Sequence, residues 1–124
     1  MMKNILGTEL KRCGTKPMTG YFRDGFCRTD KTDHGRHVVA SVVNEKFLQF
    51  TRQMGNDLST PNPYFPGLKP GDRWCLCALR WKEAFDAGCA PEVILEATHE
   101  KALEYIKLDD LKSMSTDAQN KDGS

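Results

Sequence analysis

Residues 37–55 read HVVASVVNEKFLQFTRQMG, and the two halves of this stretch carry different periods. The first half, 37–43, is β-branched and apolar with little alternation, which predicts a strand covered on both faces and placed centrally in its sheet. Asn44 then stands where a helix N-cap belongs. Phe47, Leu48, Thr51 and Met54 fall on one side of a helix over 45–54, and Gly55 supplies the left-handed stop.

Working outward, residues 73–79 read as a second strand, with Trp74, Leu76 and Ala78 on one face and Cys75, Cys77 and Leu79 on the other. Trp81, Ala84 and Phe85 mark one side of a short helix that Gly88 ends. Residues 92–97 predict a third strand. Thr98 is expected to cap a helix over 100–106 that buries Ala102, Leu103 and Ile106, and Leu108 and Leu111 continue in a last short helix. The expected class is α+β: a small mixed sheet of three to five strands, with three or four short helices packed on it and long ordered loops.

Two segments resist regular structure. Residues 4–36 are dense in Gly, Thr, Asp, Lys and Arg, with only isolated apolar residues, so this third should be mostly loop. Residues 56–72 carry Pro61, Pro63, Pro66 and Pro70 and end in Pro70-Gly71-Asp72. A loop this long inside a compact domain is usually functional, and the aromatic pair Tyr64 and Phe65 predicts that it is pinned down.

With 124 residues, one core must serve everything. The chain reads as a single domain over 3–112 and a flexible polar tail over 113–124. Leu, Ile, Val and Phe together number 25, a sparse supply for a core, yet near-balanced charge (18 basic, 17 acidic) argues against disorder throughout. Up to Arg36 there are 8 basic and 4 acidic residues, and after it 10 and 13. Without a Lys/Arg run or interleaved aromatics, this gradient gives no nucleic-acid surface. No apolar run is long enough to span a bilayer, so no membrane partner is expected, and residues 1–10 lack a secretory pattern. The expectation is a cytoplasmic protein whose five cysteines, Cys13, Cys27, Cys75, Cys77 and Cys89, are free thiols or ligands.

The chemistry-bearing features are few. Cys75 and Cys77, two apart on a strand, would share a side, but no Cys-x-x-Cys knuckle or paired-His spacing accompanies them, and buried cysteines are common as inert apolar groups. The polar runs Arg23-Asp24-Gly25, Asp33-His34-Gly35-Arg36-His37, Gly55-Asn56-Asp57, Asp72-Arg73 and Thr98-His99-Glu100 place charge among glycines. Arg suits carboxylate or phosphate, and His99 in a helix's first turn would be an acid or base. The plain alternative is Asx-turn chemistry that merely braces loops. Trp74 and Trp81 are most simply core anchors, although Trp74 also borders the loops that would form a pocket. The phosphate loop, dinucleotide fingerprint, nucleophile elbow and His-Glu-x-x-His motif are all absent, which removes the commonest cofactor and hydrolase classes.

The strings TGYFRDG (19–25), GNDLSTP (55–61), FPGLKPGDRWCLC (65–77), RWKEA (80–84) and EATHEKAL (96–103) resemble the domain of unknown function 2237 family, small and mainly bacterial proteins, over residues 4 to about 112. The resemblance implies no activity. Where that family often carries cysteine this chain has Phe26 and Ala40, and His34 is not among its features. Three readings follow. The first is a pocket for a small anionic metabolite, binding or enzymatic, in which Arg23, Asp24, Asn56, Asp57, Arg73 and Trp74 bind and Cys75, Cys77 and His99 carry the chemistry. No cofactor and no metal ligand is assigned in it. The second is a structural or redox zinc protein using Cys75, Cys77 and some of Cys13, Cys27 and His37. The third is a non-catalytic interaction module using the Pro-rich loop. Oligomeric state is left open.

Overall fold

The computed structural model describes residues 2–116. Its elements are β1 (His37–Val42), α1 (Glu45–Gln53), β2 (Arg73–Cys77), α2 (Ala78–Asp86), β3 (Glu92–Val93) and α3 (Leu108–Ser113), with single 3-10 turns at Leu95–Ala97 and Glu100–Glu104. The sheet has the order β2-β1-β3, so β1 is central, as its largely apolar sequence with little alternation leads one to expect. The class is α+β. The sheet, however, is antiparallel throughout rather than mixed, and its three strands and three α-helices fall below the upper figures expected. Each strand returns beside β1 in the opposite sense because α1 and the Pro-rich loop reverse the chain before β2.

Local chemistry sets the boundaries. Asn44 caps α1, its side-chain oxygen accepting from the Phe47 N–H at 2.8 Å, and Phe47, Leu48 and Thr51 face inward. Met54, expected on the same face, is the C-cap residue and is exposed. β2 stops at Cys77 and α2 begins at once, so Ala78 belongs to the helix. β3 pairs over only two residues, Ser41↔Val93 and Val42↔Glu92. The chain then turns in 3-10 geometry, and the buried Thr98 side chain takes over as partner to β1: its Oγ1 accepts from the Ala40 N–H at 3.1 Å and donates to the Ile94 carbonyl at 2.9 Å. The 3-10 helix that follows is capped by His99, one residue beyond the expected Thr98.

The sheet separates two clusters. On one face, Val39, Val43, Phe47, Leu48, Leu76, Trp81 and their neighbours form the main core; burying one such large side chain contributes about 1.5–3 kcal/mol. Trp81 is fully buried, stacks on Phe85 at 5.1 Å and donates its indole N–H to the Pro91 carbonyl. The other cluster is small: Cys13, Cys27, Ala40, Cys75, Ile94 and Ala97. The amino-terminal loop covers it, tied to the edge strand β2 by the Thr19 hydroxyl, which accepts from the Cys75 N–H at 2.8 Å.

In the Pro-rich loop, Leu68 N–H donates to the Leu58 carbonyl, and Leu68 is buried. Only one member of its aromatic pair does the pinning, since Phe65 packs on Trp74 at 5.1 Å while Tyr64 is 95% exposed. Of the carboxyl-terminal segment, Ser113 belongs to α3 and Ser115 is buried and bridges Val93, while residues 117–124 of the expected tail lie outside the described residues. None of the described helices is long and apolar enough to cross a membrane.

Candidate functional site

The end of the β1–β2 ladder holds the site. His37 is the cross-strand partner of Cys77, and a register shift between His37 and Val39 frees this end of β1 from regular pleating. An inner void of about 50 Å³ lies here, lined by His37, Asn56, Leu58, Trp74, Cys75, Leu76 and Cys77. Sharing His37, Leu58 and Trp74 with it is an outer cavity of about 280 Å³ that adds Arg23, Asp57 and Phe65. The two adjoin along these three residues and are together called the funnel, Leu76 and Cys77 lining its inner part and Arg23 and Asp57 its outer part.

His37 is held from behind. Its Nδ1 sits 2.7 Å from Asp33 Oδ1 and its backbone N–H donates to Asp33 Oδ2 at 2.9 Å, while Thr29 Oγ1 donates to the same carboxylate. Burial works against charge on Asp33, but the bonds from His37 and Thr29 outweigh it and hold the carboxyl below its usual range. An ionised carboxylate only accepts, so His37 Nδ1 carries the proton, and in the neutral ring Nε2 keeps its lone pair. Tyr21 stacks near the imidazole at 6.1 Å. Gly35 leaves room for the ring, because a Cβ there would come within 2.9 Å of His37 Cε1.

Arg23 forms the cationic rim. Its guanidinium lies over the Trp74 ring at 5.1 Å and donates to the Gly20 carbonyl at 2.7 Å. Arg23 has φ +56°, a left-handed conformation that an ordinary side chain adopts at a cost of about 1–2 kcal/mol. Such strain persists where surrounding structure fixes it, here to carry the guanidinium over the funnel. Asp57 lines the same outer cavity. Thr60 Oγ1, the Ser59 N–H and Ser59 Oγ all donate to its carboxylate and lower its pKa to about 2. Asn56 is anchored by Thr51, to whose Oγ1 its amide donates at 3.0 Å.

Of the residues singled out from sequence, the funnel gathers Arg23, Asn56, Asp57, Trp74, Cys75 and Cys77. Three lie elsewhere. Asp24 accepts from Arg28 Nε at 2.6 Å and from the Phe26 N–H; burial opposes its charge, and these bonds overcome that and lower its pKa. Arg73 is exposed at the far end of β2, about 13 Å of strand from Cys77, where its stem packs by Gly14. His99 runs along the β3 side of β1, its N–H donating to Val38 and its Nδ1 accepting from the Lys101 N–H. Burial pushes the His99 pKa down, with Glu100 opposing.

The reading of all five cysteines as free thiols or ligands is corrected: Cys27 and Cys75 form a disulfide, with Cα atoms 5.3 Å apart, because the amino-terminal loop lays Cys27 against β2. Cys75 therefore offers no thiol in this state. Cys13, Cys77 and Cys89 are free. Cys13 is the third member of the buried group, the sulfurs of Cys13, Cys27 and Cys75 all lying within 4.8 Å of one another, and Cys77 is outside it. Burial pushes the Cys13 thiol up to about 12, against the pull of Arg73 and the Ser41 backbone.

Asp33 and His37 are the candidate site residues that sequence reasoning did not pair. Their spacing of four was visible within the polar run, but nothing local shows that Asp33 is buried beneath the imidazole.

Residues 3–115 match the family described as "Uncharacterized protein conserved in bacteria", domain of unknown function 2237. The chain belongs to that family. No curated protein matches this member of the domain of unknown function 2237 family. The family's own description names no activity.

Proposed function

We propose that the funnel binds a small carboxylate- or phosphate-bearing molecule and presents it to the thiol of Cys77. Arg23 supplies the cation, Trp74 and Phe65 the apolar platform, and Asn56 a neutral donor deeper in the funnel. His37, oriented by Asp33, takes the Cys77 proton as the sulfur adds to a carbonyl carbon of the ligand; the C=O π pair moves onto the oxygen, which the His37 imidazolium then protonates. The observation that carries this reading is the 2.7 Å Asp33–His37 pair whose imidazole shares one void with Cys77 and one cavity with Arg23. In this reading His99, Arg73 and Asp24 shape the fold, and Cys75 belongs to the sulfur cluster.

Two alkylating agents of similar size test it. Iodoacetate is anionic and iodoacetamide neutral; each forms an S–C bond with loss of iodide. Peptide mass spectrometry compares their rates at Cys77, with Cys89 as internal reference. Cys77 should favour iodoacetate by roughly two- to fivefold over the Cys89 ratio, the effect of a partly exposed charge pair worth up to about 1 kcal/mol. Arg23→Ala should erase the preference, and His37→Ala should slow both reagents. An identical reagent ratio at Cys77 and Cys89, unmoved by Arg23→Ala, would overturn the reading.

A further inference from the structure

The second cluster raises a separate question. A disulfide accounts for Cys27 and Cys75, but not for a third sulfur held against them. All three are at most 1% exposed, and their sulfurs lie within 4.8 Å of one another. Three thiolates at the usual bond length of about 2.3 Å around one tetrahedral zinc stand about 3.8 Å apart, so this group needs little rearrangement to close on an ion once the disulfide opens.

We propose that Cys13, Cys27 and Cys75 are a redox-gated metal site: reduced, they hold one thiophilic divalent cation, zinc; oxidised, the Cys27–Cys75 bond shuts it. Opening needs a two-electron reductant: a dithiol gives two electrons and two protons to the bond and becomes a disulfide itself, and a phosphine with water does the same and becomes its oxide. The three thiols then release three protons as the ion enters, and a water or outside donor takes the fourth position.

The surroundings support the assignment independently. Ala40, Ile94 and Ala97 pack with the three cysteines as an apolar shell. Three thiolates around a divalent ion leave one negative charge, and Arg73, packed on Gly14 next to Cys13, brings one positive charge to the same side. The ligands come from two points of the amino-terminal loop and one of β2, so the ion would clamp a segment that has no helix or strand of its own.

The experiment uses the full chain, reduced with a phosphine under argon, loaded with zinc, freed of excess and read by native mass spectrometry beside the oxidised chain. The expected result is one zinc per reduced chain with loss of three protons, and none on the oxidised chain. Cys13→Ala should lose the ion and Cys77→Ala keep it. No zinc on the reduced chain, two protons displaced instead of three, or undiminished binding by folded Cys13→Ala would each overturn the proposal. If Cys13→Ala does not fold, the proton count on the parent chain decides. Arg23→Ala should retain zinc, which separates this site from the funnel.

Discussion

Thr98→Val exchanges a hydroxyl for a methyl of almost the same shape at a fully buried position, so packing is nearly constant and one polar contact is removed. The Ala40 N–H, in the central strand, then loses its acceptor. The Ile94 carbonyl also loses a donor but keeps the Ala97 N–H at 3.1 Å, so its share is small. A buried N–H left without a partner costs about 1–3 kcal/mol, which sets the expected loss near 2 kcal/mol. For a chain of this size that corresponds to a fall in Tm of about 8 °C. Urea unfolding at neutral pH measures it directly, with unchanged slope expected. Thr98→Ser is the control: it keeps the hydroxyl and loses one methyl, about 1 kcal/mol. If the serine variant proves less stable than the valine variant, or the valine variant lies within about 0.5 kcal/mol of the parent, the hydroxyl is not standing in for a strand partner.

Two further outcomes follow from single groups. Ser41 Oγ is buried and, among the described residues, has no hydrogen-bond partner, so Ser41→Ala should raise stability by about 1 kcal/mol in the same urea experiment. Asp57, depressed from 3.8 to about 2 in the fold, stabilises its loop fully above pH 3.8, and that contribution is lost as pH falls through about 2. Carboxyl NMR should find its titration near 2, and Thr60→Val should move it upward toward 3.8; a parent titration already at 3.8 would refute the turn's role.

What was legible in the sequence was local. α1 announced itself because its cap, apolar face and glycine stop lie within a dozen residues, and β1 because a strand buried on both faces leaves no polar alternation. The third strand was read too long for the opposite reason. The run from Glu92 to Ala97 has a strand's composition, but the regular ladder ends at Val93: the Ile94 N–H still reaches the Ala40 carbonyl, while the Ala40 N–H turns to the Thr98 side chain. The site divides the same way. Arg23, Asn56, Asp57 and Cys77 stood out as polar or reactive residues beside glycine or on a strand. Their meeting with His37, and the removal of His99 and Arg73 from that company, follow from register and from which edge of β1 each segment runs along. The Cys27–Cys75 bond spans a separation of 48 residues, and no spacing rule reaches across it.

The bond from Cys75 N–H to the Thr19 hydroxyl bears on how this small sheet avoids its own kind. An outermost strand with bare amide and carbonyl groups is a template for a second molecule to zip onto. Here Thr19 of the irregular amino-terminal chain already takes the Cys75 amide on that border, so a neighbouring copy meets this part of the ladder occupied. Detaching the amino-terminal segment would therefore convert a self-contained molecule into one prone to stack edge to edge.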